Sequence, residues 1–276
     1  MLLPLLAACS TLRLGYSQGP TLAYWWLDSQ VDFSAEQAPR VRSALADWFA
    51  WHRSTQLPDY AQALGEAAAL LPHTVTAGQL CNIADAWQRR AELAFDRAVP
   101  QLAEQVRTLS AEQIEHLAQR QARKQQELVD EHLVADLAAR RKASLSRNIE
   151  RAETLYGSLD EAQRQLMATA LAASPFDAER WLAERQARSA ELLRSLRQWQ
   201  AERADVVVVQ AGLRRLAAET SRSLRADYRD YSQRMKQVNC AMAAQLHNST
   251  RAAQRQRALA KLQGWQDDLR ALADAR

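Results

Sequence analysis

Glycine and proline are scarce in this sequence, with 7 of each in 276 residues, well below the roughly 7% and 5% of average usage. The glycines are scattered singly, so neither a phosphate-binding loop nor a dinucleotide fingerprint is present. Cysteine is almost absent, with 3 in the chain, and no two stand at metal-ligand spacing. The 5 histidines, at 52, 73, 116, 132 and 247, include no zinc-binding pair four apart. None has a glutamate three residues ahead of it, as a di-iron bundle requires. No Gly-X-Ser-X-Gly nucleophile elbow occurs. An excess of charge of one sign is also missing, since 36 basic and 32 acidic side chains leave a net charge of +4. Arginine outnumbers lysine 32 to 4. It alternates with Glu, Gln and Asp, as from Glu179 to Arg188, in the manner of solvated helix faces, without the concentrated patch of a nucleic-acid binder. No catalytic, cofactor-binding or metal-ligating residue is assigned, and nucleic acid is excluded as a partner.

What is abundant is helix-forming. Apolar residues make up 47% and charged residues 25%, which excludes a disordered or collagen-like chain. The composition is led by 53 Ala and 38 Leu. One signal recurs: Phe33-Ser34-Ala35-Glu36-Gln37, Val75-Thr76-Ala77-Gly78-Gln79, Leu109-Ser110-Ala111-Glu112-Gln113 and Leu159-Asp160-Glu161-Ala162-Gln163. Each sets an apolar residue before Ser, Thr or Asp, with Gln three positions on. This is a capping box: the hydroxyl or carboxylate accepts an orphan N–H of the first turn, and the Gln reaches back to the cap's own N–H.

From these starts, with Pro and Gly as stops, the sequence predicts helices over 21–31, 35–53, 58–72, 76–108 (kinked or divided at Pro100) and 110–156. Gly157 caps the last of these, and further helices follow over 160–173, 177–203, 205–247 and 250–273. Along 205–247, residues from Leu213 through Leu224, Tyr228, Tyr231 and Met235 to Leu246 recur every three or four positions, as one continuous buried stripe does. The β-branched run Val206 to Val209 belongs at a helix start or bend. The fold class is all-α, an elongated bundle of about eight or nine helices, several of them long, without a sheet.

The first ten residues bear on the compartment. Leu2, Leu3, Leu5 and Leu6 form a short apolar run, and Leu6-Ala7-Ala8-Cys9 resembles a bacterial lipobox, in which the Cys thiol accepts a diacylglyceryl group. The run is too short to span a bilayer, which takes about 20 residues. No Lys or Arg precedes it, so the signal is read as truncated at its start. The expected organisation is a signal peptide over 1–8, a lipidated tether over 9–20, and a helical domain over 21–276 with a sub-boundary near 157–160. Lipid on Cys9 is then the membrane attachment, and Ser10 in place of Asp favours the outer membrane. Removing Cys9 leaves Cys81 and Cys240, which either form one long-range disulfide or remain as buried thiols.

Four of the eight tryptophans lie between Trp25 and Trp51. With Tyr24, Phe33 and Tyr60 they form either an aromatic core joining the first helices or a partner-binding groove anchored at Trp51 and rimmed by Asp28, Asp32, His52 and Arg53. The lipobox, Tyr24 to Phe33, Trp51 to Tyr60, the Gln-ended caps and Arg180-Trp181-Leu182 together resemble an uncharacterised family of proteobacterial lipoproteins, domain of unknown function 6279. The resemblance covers essentially the whole mature chain; it implies an all-helical envelope lipoprotein and supplies no activity. The caps alone are similar to those of periplasmic proteins of the Spy and CpxP type. The expected function is non-enzymatic binding of envelope or periplasmic proteins. A chaperone-like holdase, a structural adaptor of an outer-membrane assembly and, as a minor option, an envelope-polymer hydrolase are the alternatives.

Overall fold

The computed structural model describes residues 11–133 and 136–275. Cys9 and the apolar run before it lie outside the described residues. The elements are α1 (Thr11–Ser17), α2 (Gly19–Val31), α3 (Gln37–Trp51), a π-helical turn (His52–Gln56), α4 (Leu57–Leu70), α5 (Ala77–Val106), α6 (Ala111–His132), α7 (Leu137–Tyr156), α8 (Glu161–Ala172), α9 (Ala178–Glu202), α10 (Val206–Ser221), α11 (Ala226–Ser249) and α12 (Ala252–Asp274). The all-α class is as expected, with no strand among the described residues. Among the described residues the α-helices number twelve rather than eight or nine.

Two of the extra helices come from long periodic stretches that break. The expected helix over 110–156 stops at His132 and restarts after Asp136, whose carboxylate accepts from Ala138 N at 2.8 Å. The two pieces serve different neighbours, since α6 packs on α9 and α7 on α12 and α8. The expected stripe over 205–247 is interrupted in the same way. Helix α10 ends at Ser221, Ser223 Oγ accepts from Arg225 N at 3.2 Å, and Leu224 of the stripe is 70% exposed. Periodicity persists through both breaks because each flanking helix keeps its own inward face. Conversely, Pro100 does not divide α5. Val99 and Ala103 on either side are completely buried, and that packing carries the helix through to Val106. Val206 to Val209 begin α10, as expected.

The capping boxes form as the sequence predicts, and four glutamines then interlock. Gln37 and Gln113 face each other, each carboxamide donating to the other's oxygen at 3.2 and 2.7 Å. Each Nε2 also reaches the carbonyl two residues before the opposite cap, Thr108 O at 2.9 Å and Asp32 O at 2.8 Å. The same clasp recurs between Gln163 and Gln254, with carboxamide bonds of 2.8 and 2.9 Å and Nε2 contacts to Ser249 O at 3.1 Å and Ser158 O at 3.0 Å. Each amide's orientation is set by its own cap: the backbone N–H of Ser34, Ser110, Asp160 and Arg251 needs an acceptor and finds Oε1 at 3.0 Å in all four cases. Arg251 offers no side-chain acceptor, and its guanidinium instead pairs across the clasp with Asp160 at 2.8 Å. Helices cross alike at both clasps: α2 on α6 and α3 on α5 at the first, α7 on α12 and α8 on α11 at the second. One supersecondary arrangement is thus used twice.

A hydrophobic cluster surrounds each clasp. Leu109, just ahead of a cap, sits with Val99, Ile114, Trp199, Val209 and Leu213, while Leu159 sits with Tyr156, Met167, Leu246, Ala258 and Leu262. Each cluster draws residues from both sides of 157–160 in sequence. Cys81 of α5 and Cys240 of α11 are joined in a disulfide, with 5.5 Å between their Cα atoms. The charged stretch 179–188 is not wholly a solvated face, because Glu184 is buried at 3% exposure. Its Oε2 accepts from Arg225 Nε at 2.7 Å, and Arg188 Nε lies 3.4 Å from Oε1. A buried carboxylate needs such partners to offset its desolvation.

Candidate partner-binding surface

The chain between α3 and α4 was expected to break after Arg53 and restart at Pro58. It instead stays helical through a π turn, in which Leu57 N–H bonds the carbonyl of His52, five residues back. Pro58 is the physical cause: it has no N–H to give residue 54, and its ring crowds the carbonyl of that residue. Thr55 Oγ1 and Ser54 Oγ both donate to Trp51 O, at 2.7 and 3.2 Å, and hold the widened turn. Such turns re-aim side chains and recur at functional sites.

Here the turn points His52 into a nest of aromatic rings. Trp48 stacks on it at 4.7 Å between centroids, Tyr60 meets it edge-on at 5.3 Å, and Trp87 of α5 continues the row 5.2 Å from Tyr60. Tyr16 of α1 closes the other side, its hydroxyl 2.8 Å from His52 Nδ1. Burial pushes the Tyr16 phenol up to about 12, with Arg53 partly opposing, and burial holds His52 below its ordinary value. Both groups are therefore neutral at pH 7. The two are joined by a hydrogen bond between uncharged groups.

Arginines ring this nest. Arg53 lies over Tyr16 at 5.6 Å and donates to Ala275 O at 3.3 Å, while Arg97 lies 5.8 Å over Trp51. Arg90 lies 5.6 Å over Trp87 and binds Asp59 with two hydrogen bonds of 2.7 and 3.0 Å. Beside Trp87 and Arg90 opens a groove of about 300 Å³ between α4 and α5, lined by Ala63, Ala67, Leu70 and Ile83 with Glu66 at its rim. Apolar walls with aromatic and arginine anchors are what protein partners bury most productively.

Of the residues expected to share one groove, Trp51, His52 and Arg53 are together and half-buried. Asp28 and Asp32 are not with them. Helix α3 intervenes, and its 15 residues rise about 20 Å. Both aspartates instead end α2: Asp28 Oδ1 accepts from Phe33 N at 3.0 Å, and Asp32 adopts a left-handed conformation with φ 59°. The tryptophans divide too. Trp48 donates to Ala94 O at 2.9 Å within the nest, whereas Trp25 and Trp26 are 59% and 64% exposed. Sequence reasoning missed Tyr16, Trp87 and Arg90. The last two had a signal, since Ile83, Trp87 and Arg90 follow one another at helical spacing on α5; Tyr16 had none.

A model of a family of unknown function (DUF6279) matches residues 29–229. No curated protein and no solved structure matches the chain.

Proposed function

Because the chain belongs to the DUF6279 family, whose function is unknown, membership brings no activity, and we propose from its residues that it is an exported lipoprotein that binds other proteins. In this reading a diacylglyceryl group on Cys9 anchors it to the outer membrane, facing the periplasm. Its helical body engages envelope or periplasmic proteins and catalyses no reaction. The observation that carries export is the Cys81–Cys240 bridge, since disulfides persist in oxidising compartments and are rare in reducing ones. Binding is supported by the groove between α4 and α5 and by the neutral, hydrogen-bonded state of the His52–Tyr16 pair beside it.

Mass spectrometry of the native protein tests the export half. A lipid-modified Cys9 is expected at the mature N-terminus, and an unmodified Met1 with Cys81 and Cys240 reduced overturns it. In-cell crosslinking of the tagged chain, followed by identification of what is captured, tests the binding half. Trp87→Ala should lower capture severalfold with the fold retained. One stoichiometric partner marks an adaptor, many unrelated clients enriched under unfolding stress mark a holdase, and equal recovery with and without Trp87 removes the groove from either reading.

A further inference from the structure

Helices α1 and α2 run almost without interruption, because Gln18 N bonds Leu14 O and Leu22 N bonds Gln18 O. On α2 the inward side is closed: Tyr24 is 5% exposed, and Gly19 lies so near Phe49 of α3 that a Cβ there would come within 2.4 Å of its ring. The outward side repeats at four and three residues, 14, 18, 22, 25, 26 and 29. Its large members are Leu14, Leu22, Trp25 and Trp26, exposed by 58%, 49%, 59% and 64%. In a chain of which 25% is charged, residues 11–31 hold only Arg13 and Asp28 as charged groups, and both are engaged. Arg13 Nε donates to Asp268 Oδ1 at 2.6 Å, and Asp28 is bound to Phe33 N. A helix with large apolar side chains on both faces, one of them left in water, has a second apolar medium to meet.

We infer that this outward face, Leu14, Leu22, Trp25 and Trp26, is a membrane-docking surface that lies in the interface of a phospholipid bilayer. Tryptophan and leucine suit the headgroup boundary, where indole rings are enriched. The bilayer's proximity rests on the proposed lipid at Cys9: Leu14 is five residues on from Cys9, a span of no more than about 18 Å even when fully extended. The attachment is monotopic, since no helix among the described residues is long and apolar enough to cross a membrane. The face would hold the bundle down on the membrane beside its anchor, and because its large members are uncharged that contact depends little on salt.

The test compares the full chain carrying Cys9→Ser with the same chain carrying Trp25→Ser and Trp26→Ser as well, in co-flotation with phosphatidylethanolamine/phosphatidylglycerol vesicles. Circular dichroism should be identical, because both tryptophans are exposed. The expected result is a partition coefficient at least tenfold lower for the serine variant, unchanged between 50 mM and 500 mM salt, with residues 1–8 contributing equally to both. Equal partition, or no partition of either chain, overturns the inference. So does a concentration-dependent dimer that the serine variant fails to form without lipid, which would make a second copy the occupant. Lipidation is read separately from the mass at Cys9, so its failure and the failure of the docking face give different results.

Discussion

Gln163 is the side chain whose removal should cost most for its size. It is 2% exposed, and its carboxamide is fully used. Oε1 accepts from Asp160 N at 3.0 Å and from Gln254 Nε2 at 2.9 Å, while Nε2 donates to Gln254 Oε1 at 2.8 Å and to Ser249 O at 3.1 Å. At about 1 kcal/mol net for each bond, and with the stranded partners unable to find water, Gln163→Ala should lose about 4 kcal/mol. The chain carries its own control. Gln79 occupies the same place in the Thr76 box, but it is exposed and its carboxamide bonds only to Thr76, at 2.8 and 3.1 Å. Gln79→Ala should cost about 0.5 kcal/mol, because water replaces what is lost.

Equilibrium urea unfolding followed by circular dichroism measures both variants. A double-mutant cycle of Gln163→Ala with Gln254→Ala should give a coupling of about 1–3 kcal/mol. Gln163→Glu keeps the acceptor and removes both donors, setting a carboxylate against Ser249 O and Gln254 Oε1. It should be at least as harmful as alanine at pH 7 and should recover in part near pH 4, where a proton returns. If the Gln163 and Gln79 variants lie within 0.5 kcal/mol of one another, the clasp is no more than a helix cap and the reasoning fails.

The Cys81–Cys240 bridge spans 159 residues of sequence; chain entropy puts its contribution near 5 kcal/mol, at the top of the usual range. Cys81→Ser with Cys240→Ser should therefore lower the urea midpoint steeply, and an unmoved midpoint contradicts the assignment. Burial raises the Tyr156 phenol from 10.0 to about 12, so the unfolded state releases this proton first. Stability present below pH 10 is lost between pH 10 and about 12, by about 3 kcal/mol for two pH units, and absorbance of tyrosinate near 295 nm should show Tyr156 and Tyr16 ionising last. His52 has the opposite sense: its folded value lies below 6.5, so stability falls as pH drops below 6.5, and a His52→Gln variant should flatten that slope. Gly212→Ala places a Cβ 2.1 Å from the Trp199 ring, which is buried and has no room to yield; overpacking of about 1–3 kcal/mol should appear as a lower melting temperature.

The legible parts of this fold are those written in local chemistry. A Ser, Thr or Asp with Gln three residues on locates a helix start because both bonds of the box close within four residues, and the boxes at Ser34, Thr76, Ser110 and Asp160 all form. Arg251 hides the fourth interlocking glutamine for the same reason: with no side-chain acceptor it lacks the signature, and only the position of Gln254 across from Gln163 reveals it. The breaks after His132 and after Ser221 were illegible because helical spacing continues on their far sides. At the first, what decides is which neighbour each half packs against, a fact held by α9 and α12 rather than by the segment itself; at the second, both halves stay on α5, while α10 also meets α9 and α11 meets α8. The aromatic nest divides along the same line. Trp51, His52 and Arg53 are adjacent in sequence and stay together, while Asp28 and Asp32 are near in number yet lie at the far end of α3. Trp25 and Trp26 show the limit most clearly. Their residue type says core or interface, and only their surroundings in the fold choose between the two, so the pair that composition would bury is the pair the fold leaves in solvent.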